Sequence, residues 1–202
     1  MSEESDVDSG VEAMRIGAMH HNFNQIVGFH NHVHGFFNSN LAGSQTDGNL
    51  SQKEKTLLKL EYESHLPNQL RKSVFLMMFG HLEEHLFLSW CDHGRILEEK
   101  NDRADGIKKF KKLFVNLKVD LLTDQNYQLI VDAYKIRNAI IHTAGRIDFI
   151  KKPEELEGIV DKHNKYYEIR NKRVYVTSEG IFHFNSAVAE FTEKVSRAAR
   201  RK

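Results

Sequence analysis

Within six positions the chain places Arg137, Asn138 and His142, three side-chain types that together suit the cleavage of a phosphodiester. Histidine ionises near neutrality, so it can take the proton from a ribose 2′-hydroxyl under mild conditions. Arginine offers a planar, permanently charged fork to the negative charge that gathers on the phosphoryl oxygens. Asn138 precedes His142 by one helical turn, where its amide can hold the imidazole or a phosphate oxygen. These groups are sufficient for cutting RNA without a metal, and no cofactor is expected.

At about 100° per residue, Leu129, Ala133, Ile136 and Ile140 form one apolar stripe, and Asn138 and His142 fall nearly opposite it. Arg137 lies about 140° round the helix from His142. The pair can meet at one phosphate only if Arg137 bends round the helix or a second copy contributes. A twofold homodimer would supply that second copy, and Ile141 and Tyr134 flank the polar face as a seam for it.

The segment Tyr134–Ile147, YKIRNAIIHTAGRI, resembles the signature of the HEPN superfamily: an Arg separated from a His by four to six residues on a late helix, with Asn after the Arg and Gly shortly after the His. Arg137, Asn138, His142 and Gly145 supply these features. Eleven Arg and twelve His give the bare spacing roughly twice by chance, and Arg15 to His20 also satisfies it. Arg15 has neither the Asn nor the closing Gly. The resemblance implies an endoribonuclease that leaves a 2′,3′-cyclic phosphate at a homodimer cleft. It also implies a toxin or antiphage role, with an antitoxin or regulatory protein as partner. Members of the family often carry a polar residue on the preceding long helix, and Glu83 in FGHLEEHL is the matching position, expected to orient Arg137. A non-catalytic dimerisation or nucleotide-binding module of the same type is the second reading, and a helical scaffold the third.

Other residues invite chemistry less strongly. Lys108, Lys109, Lys111 and Lys112 crowd a short helix and could track phosphates, or be a solvated face opposite Ile107, Phe110 and Phe114. Arg197, Arg200, Arg201 and Lys202 pose the same choice. His20, His21, His30, His32 and His34 suggest a metal, but a helical period aligns only His30 with His34, so surface histidines and no metal site are expected.

The elements that position these residues read as mainly α, a HEPN-like helical bundle with a small C-terminal antiparallel hairpin or meander and a final helix. Residues 1–10 are acidic and read as a disordered tail. Residues 11–202 read as one domain, helical to about 150, with a β appendage and last helix over 151–202. The first helix follows Val11, Met14, Ala18, Phe23, Ile26, Phe29, Val33 and Phe36 and is interrupted from Asn38 to Asn49. Ser51 and Glu54 form a capping box for a helix that ends before Pro67. The run from Gln69 to about Lys100 is the central buried helix. A turn at Asn101–Gly106 follows, then a short helix capped by Asp105, then a helix capped by Thr123 that runs to Thr143 and is closed by Gly145. YYEIR, RVYVT and IFHF read as strands, and the last helix begins near Ser186.

With 29 Lys and Arg against 28 Asp and Glu, the chain lacks the bulk charge of a protein that coats nucleic acid, so RNA must be met by local patches. One cysteine, Cys91, excludes an intrachain disulfide. With no membrane-spanning run or secretory signal in view, a cytoplasmic location and no membrane partner are expected.

Overall fold

The computed structural model describes residues 3–92 and 106–199. In chain order these hold α1 (Glu3–Thr46), α2 (Gln52–Leu60), α3 (Leu66–Asp92), α4 (Lys111–Asn116), α5 (Gln125–Thr143), α6 (Pro153–Lys162), β1 (Tyr167–Arg170), β2 (Arg173–Val176) and α7 (Ser178–Ala199). The fold is mainly α with a two-stranded antiparallel hairpin and a closing helix. The end of the expected long helix to Lys100, the Asn101–Asp105 turn with its Asp105 cap, and Arg200, Arg201 and Lys202 lie outside the described residues.

The apolar pattern of α3 explains its central place: Val74, Phe75, Met78, Phe79, Leu82 and Leu86 recur at helical spacing and are all buried. Helix α7 answers with Ile181, Phe184, Val188, Phe191 and Val195, each fully buried at alternating steps of three and four. Phe184 stacks on Phe79 at 4.6 Å between ring centroids and tilts against Phe75 at 5.1 Å. Helix α5 adds Ile130, Ala133 and Ile136 to the same core, and the hairpin covers it with Tyr167, Val174 and Val176. Its other face turns Glu168, Arg170, Arg173 and Tyr175 outward in the register Glu168↔Tyr175 and Arg170↔Arg173. Among the described residues no helix is long and apolar enough to cross a membrane.

Several boundaries differ from those expected. Helix α1 begins at Glu3, inside the acidic segment read as a tail; clustered carboxylates favour the positive end of a helix. It also runs through Asn38–Thr46, where Ser39, Asn40 and Thr46 turn their side-chain donors onto carbonyls one turn back rather than onto a competing turn. Its buried face is Met19, Phe23, Ile26 and Phe37, whereas Val11, Met14, Phe29 and Phe36 are exposed. The expected stripe mixed two faces; the set facing α3 holds a steadier period.

The Ser51–Glu54 capping box forms as expected. Pro67 does not end the helical path: a π turn over Glu61–His65, in which the Leu66 N–H donates to the Glu61 carbonyl, makes room near the start of α3 for a residue without an N–H. Asp124 rather than Thr123 caps α5, its carboxylate accepting from the Tyr127 N–H at 2.8 Å, while the Thr123 hydroxyl donates to Asp120 at 2.5 Å. Helix α6 was missed, although Pro153 at its first turn with Glu154 and Glu155 behind it is a start signal. IFHF is helical and belongs to α7, which the Thr177 hydroxyl opens by accepting from the Gly180 N–H at 2.9 Å. Its buried positions fit a period of 3.6 once Val188 and Phe191 are read with them.

Candidate active site

Helix α5 carries the candidate residues and is fixed at both ends. At its start Asp124 is tied also to Lys194 of α7, 2.5 Å away. At its end Ala144 and Gly145 both turn left-handed, and the Gly145 N–H donates to the Ala139 carbonyl. A Cβ on Gly145 would lie 2.9 Å from the Val174 carbonyl oxygen, so the glycine of the motif also lets the hairpin close against the helix end. The Val174 N–H completes that seam by donating to the Gly145 carbonyl.

His142 is exposed in the last turn of α5 and has no hydrogen bond or ion pair with any described residue. It stands at a pocket of about 430 Å³ bounded by α5, the turn after it and α6, with Lys135, Asn138, Phe149, Lys151 and Lys152 among the walls. Arg137 reaches this pocket only indirectly: its Nη1 donates to the Asn138 side-chain amide oxygen, Oδ1, at 2.9 Å, and its guanidinium lies 5.5 Å from the Tyr134 ring centroid. Its Nε is buried without a hydrogen-bond partner. Asn138 therefore links the cation to the histidine's pocket. The stripe 134, 137, 141 lies to one side of Asn138 and His142, and the pocket lies to the other.

The buried stripe of α5 is close to the expected one, with Ala133, Ile136 and Ile140 buried and Leu129 half-buried, its place deeper in the core taken by Ile130. The two residues expected to flank the polar face differ in exposure. Ile141 is 45% exposed. Tyr134, by contrast, is covered by the close approach of Gly106, where a Cβ would overlap its ring, and packs edge-on against Phe79 at 6.2 Å.

Glu83 does not orient Arg137; its carboxylate faces Lys109 at 3.7 Å. Lys108, Lys109, Lys111 and Lys112 are exposed opposite buried Ile107, Phe110 and Phe114. Lys108 comes near enough to the pocket to act on Glu155. That carboxyl is held below its ordinary value first by the Lys135 ammonium, 2.6 Å away, and more weakly by Lys152 and Lys108. Arg197 pairs with Glu193 on its own helix.

The N-terminal histidines are not all on the surface. His30 is 2% exposed, stacks on His34 at 5.9 Å and meets Phe182 edge-on, and burial lowers its pKa, with His34 and Arg71 adding to the effect. Its ring lies between His34 of α1 and Phe182 of α7, which accounts for its burial. Among the described residues no group of three or more His, Cys, Asp or Glu is placed to hold a metal ion.

Sequence reasoning did not single out Phe149, Lys151, Lys152, Lys135 or Glu155. The signal was local, since IDFIKKPEE follows the motif directly, but its meaning depends on α6 folding back along α5. That return is fastened at its far end by Asp132, which accepts from Lys162 at 2.8 Å and His163 at 3.1 Å. Burial pushes the Asp132 carboxyl up, and these hydrogen bonds outweigh it and leave the pKa lowered.

Comparison with family models, curated proteins and solved structures gives no match, so the functional reading rests on the residues and their geometry.

Proposed function

We propose that the chain is a metal-independent endoribonuclease acting as a homodimer of HEPN type. The observation that carries the reading is an exposed, unpartnered His142 on a cationic pocket, joined through Asn138 to Arg137. In the reaction His142 takes the proton from a ribose 2′-hydroxyl, the 2′-oxygen attacks the adjacent phosphorus, and the bond to the 5′-oxygen breaks. The products are a 2′,3′-cyclic phosphate and a 5′-hydroxyl, the leaving oxygen taking its proton from water or from the His142 of a second copy. Arg137 stabilises the phosphoryl oxygens, released from Asn138 toward the phosphate or reaching across the twofold from the second copy. Exposed Ile141 beside this face supplies apolar area for that contact.

A toxin or antiphage role, with an antitoxin or other regulatory protein as partner and the cytoplasm as its place of action, accompanies this reading. The second reading is a non-catalytic nucleotide-binding module. What favours it is Arg137 turned onto Tyr134, away from the pocket wall.

The deciding experiment incubates purified protein with total RNA in excess chelator beside a His142→Ala control. Cleavage by the wild type alone, with cyclic-phosphate ends, supports the enzyme. Activity that requires a divalent ion removes the metal-free mechanism, and equal cleavage by the control removes the site.

A further inference from the structure

We propose that the pocket beside His142 is a subsite for one nucleotide of single-stranded RNA, its base stacked on Phe149 and its phosphate held by Lys151 and Lys152. The inference deepens the ribonuclease reading and rests on it for the assignment of RNA as ligand.

Phe149 is 66% exposed, although its neighbour Ile147 is buried. The backbone that carries the ring is nevertheless pinned. It sits on a 3-10 turn over Ile147–Phe149, closed by the Ile150 N–H donating to the Ile147 carbonyl at 3.0 Å and pinned to the hairpin by the Ile147 N–H donating to the Lys172 carbonyl at 3.0 Å. The Arg146 guanidinium lies 4.6 Å from the ring centroid and is itself held by Asp148 at 3.4 Å, which Lys172 also approaches. Phe149 borders the pocket and Arg146 does not, so exposed ring surface not occupied by the guanidinium meets the pocket. An ordered aromatic backed by a guanidinium is the arrangement on which unpaired bases stack.

The charge around the ring selects the ligand further. Lys135 is answered by Glu155 at 2.6 Å. Lys151 and Lys152 line the same pocket and their ammonium groups make no hydrogen bond or ion pair with a described residue, so the pocket carries an excess of positive charge. A second copy packed on Phe149 would set these cations against their own mates, which disfavours self-association through this face. A nucleotide satisfies both features at once. The pocket volume, about 430 Å³, lies within the span of roughly 300–1,000 Å³ of small-ligand sites. Stacking is indifferent to base identity, so the subsite selects single strands over duplex rather than one base over another.

The test uses the full chain and a short single-stranded 2′-O-methyl oligonucleotide, which lacks the attacking hydroxyl and cannot be cut, with affinity read by fluorescence anisotropy. Phe149→Ala should weaken binding by roughly five- to one-hundred-fold, and Phe149→Tyr should restore it. Replacing Lys151 and Lys152 together by Gln should reduce the slope of log affinity against log salt by about 2. In Phe149→Trp the new indole should be quenched on binding, a signature that a merely structural ring would not give. Equal affinity of wild type and Phe149→Ala overturns the subsite, as does no binding by the wild type. A Phe149→Ala protein that loses its dimer but keeps its affinity overturns it too, by assigning the ring to an interface. Because the probe cannot be cleaved, failure of wild type to cut ordinary RNA removes the ribonuclease reading and leaves this measurement standing.

Discussion

Arg137→Ala and His142→Ala should both abolish cleavage yet differ in what they do to stability. Truncating Arg137 removes a hydrogen bond to Asn138 of about 0.5–1.5 kcal/mol and a cation–π contact with Tyr134 of about 0.5–1 kcal/mol. It also removes the buried, unpartnered Nε, whose desolvation costs about 1 kcal/mol in the wild type. The net loss is about 1 kcal/mol, which lowers Tm by roughly 2–4 °C in a chain of this size. His142 is exposed and partnerless, so its truncation should stay within about 0.5 kcal/mol. Each variant should lose about 10²–10⁴-fold in kcat/KM, equivalent to roughly 3–5 kcal/mol of transition-state stabilisation, well beyond either folding effect. Arg137→Lys should not recover activity, because an ammonium cannot bind two phosphoryl oxygens as a fork. Thermal denaturation followed by circular dichroism, run beside single-turnover cleavage of a labelled RNA, separates the two quantities. A His142→Ala protein that melts more than about 5 °C lower would make the residue structural, and one that cleaves at the wild-type rate would remove it from the site.

Three further outcomes follow from the geometry. His30 and His183 both have pKa values lowered by burial from the ordinary 6.5, so the unfolded chain binds their protons more readily. Their contribution is fully present above pH 6.5 and is lost as pH falls below it, so the Tm measured from pH 7.5 to 5.5 should fall less in His30→Phe than in wild type. Asp124→Ala removes the α5 cap and the partner of half-exposed Lys194, a loss of about 2 kcal/mol in urea denaturation, and a change under about 0.5 kcal/mol would refute the capping role. If the proposed dimer packs through Ile141, Ile141→Asp should turn it into a monomer and abolish cleavage together, read by sedimentation on the assayed sample; a monomer that cuts at the wild-type rate would defeat the shared cleft.

The residues and their spacing determined more of this protein than its boundaries. Period and capping chemistry are local, so the buried run of α3, the stripe Ala133, Ile136 and Ile140, the outward Asn138 and His142, the Ser51–Glu54 box and the closing Gly145 were all legible in the chain. The hairpin was legible as well, from two β-branched runs around Asn171-Lys172. Local signals failed where two conformations compete and packing arbitrates. IFHF suits a strand by composition, but Ile181 and Phe184 complete a helical stripe that only the face of α3 rewards. Pro67 reads as a stop until a π turn absorbs it, and His30 reads as polar surface until α7 brings Phe182 against it. The candidate site divides in the same way. The chain named Arg137, Asn138 and His142, since their chemistry depends on side-chain type and helical spacing. That Glu83 faces Lys109 rather than Arg137, that Arg137 rests on Tyr134, and that Phe149, Lys151 and Lys152 share a pocket with His142 depend on how α3, α5 and α6 meet. Such contacts between segments distant in sequence are set by tertiary packing, which no local pattern encodes.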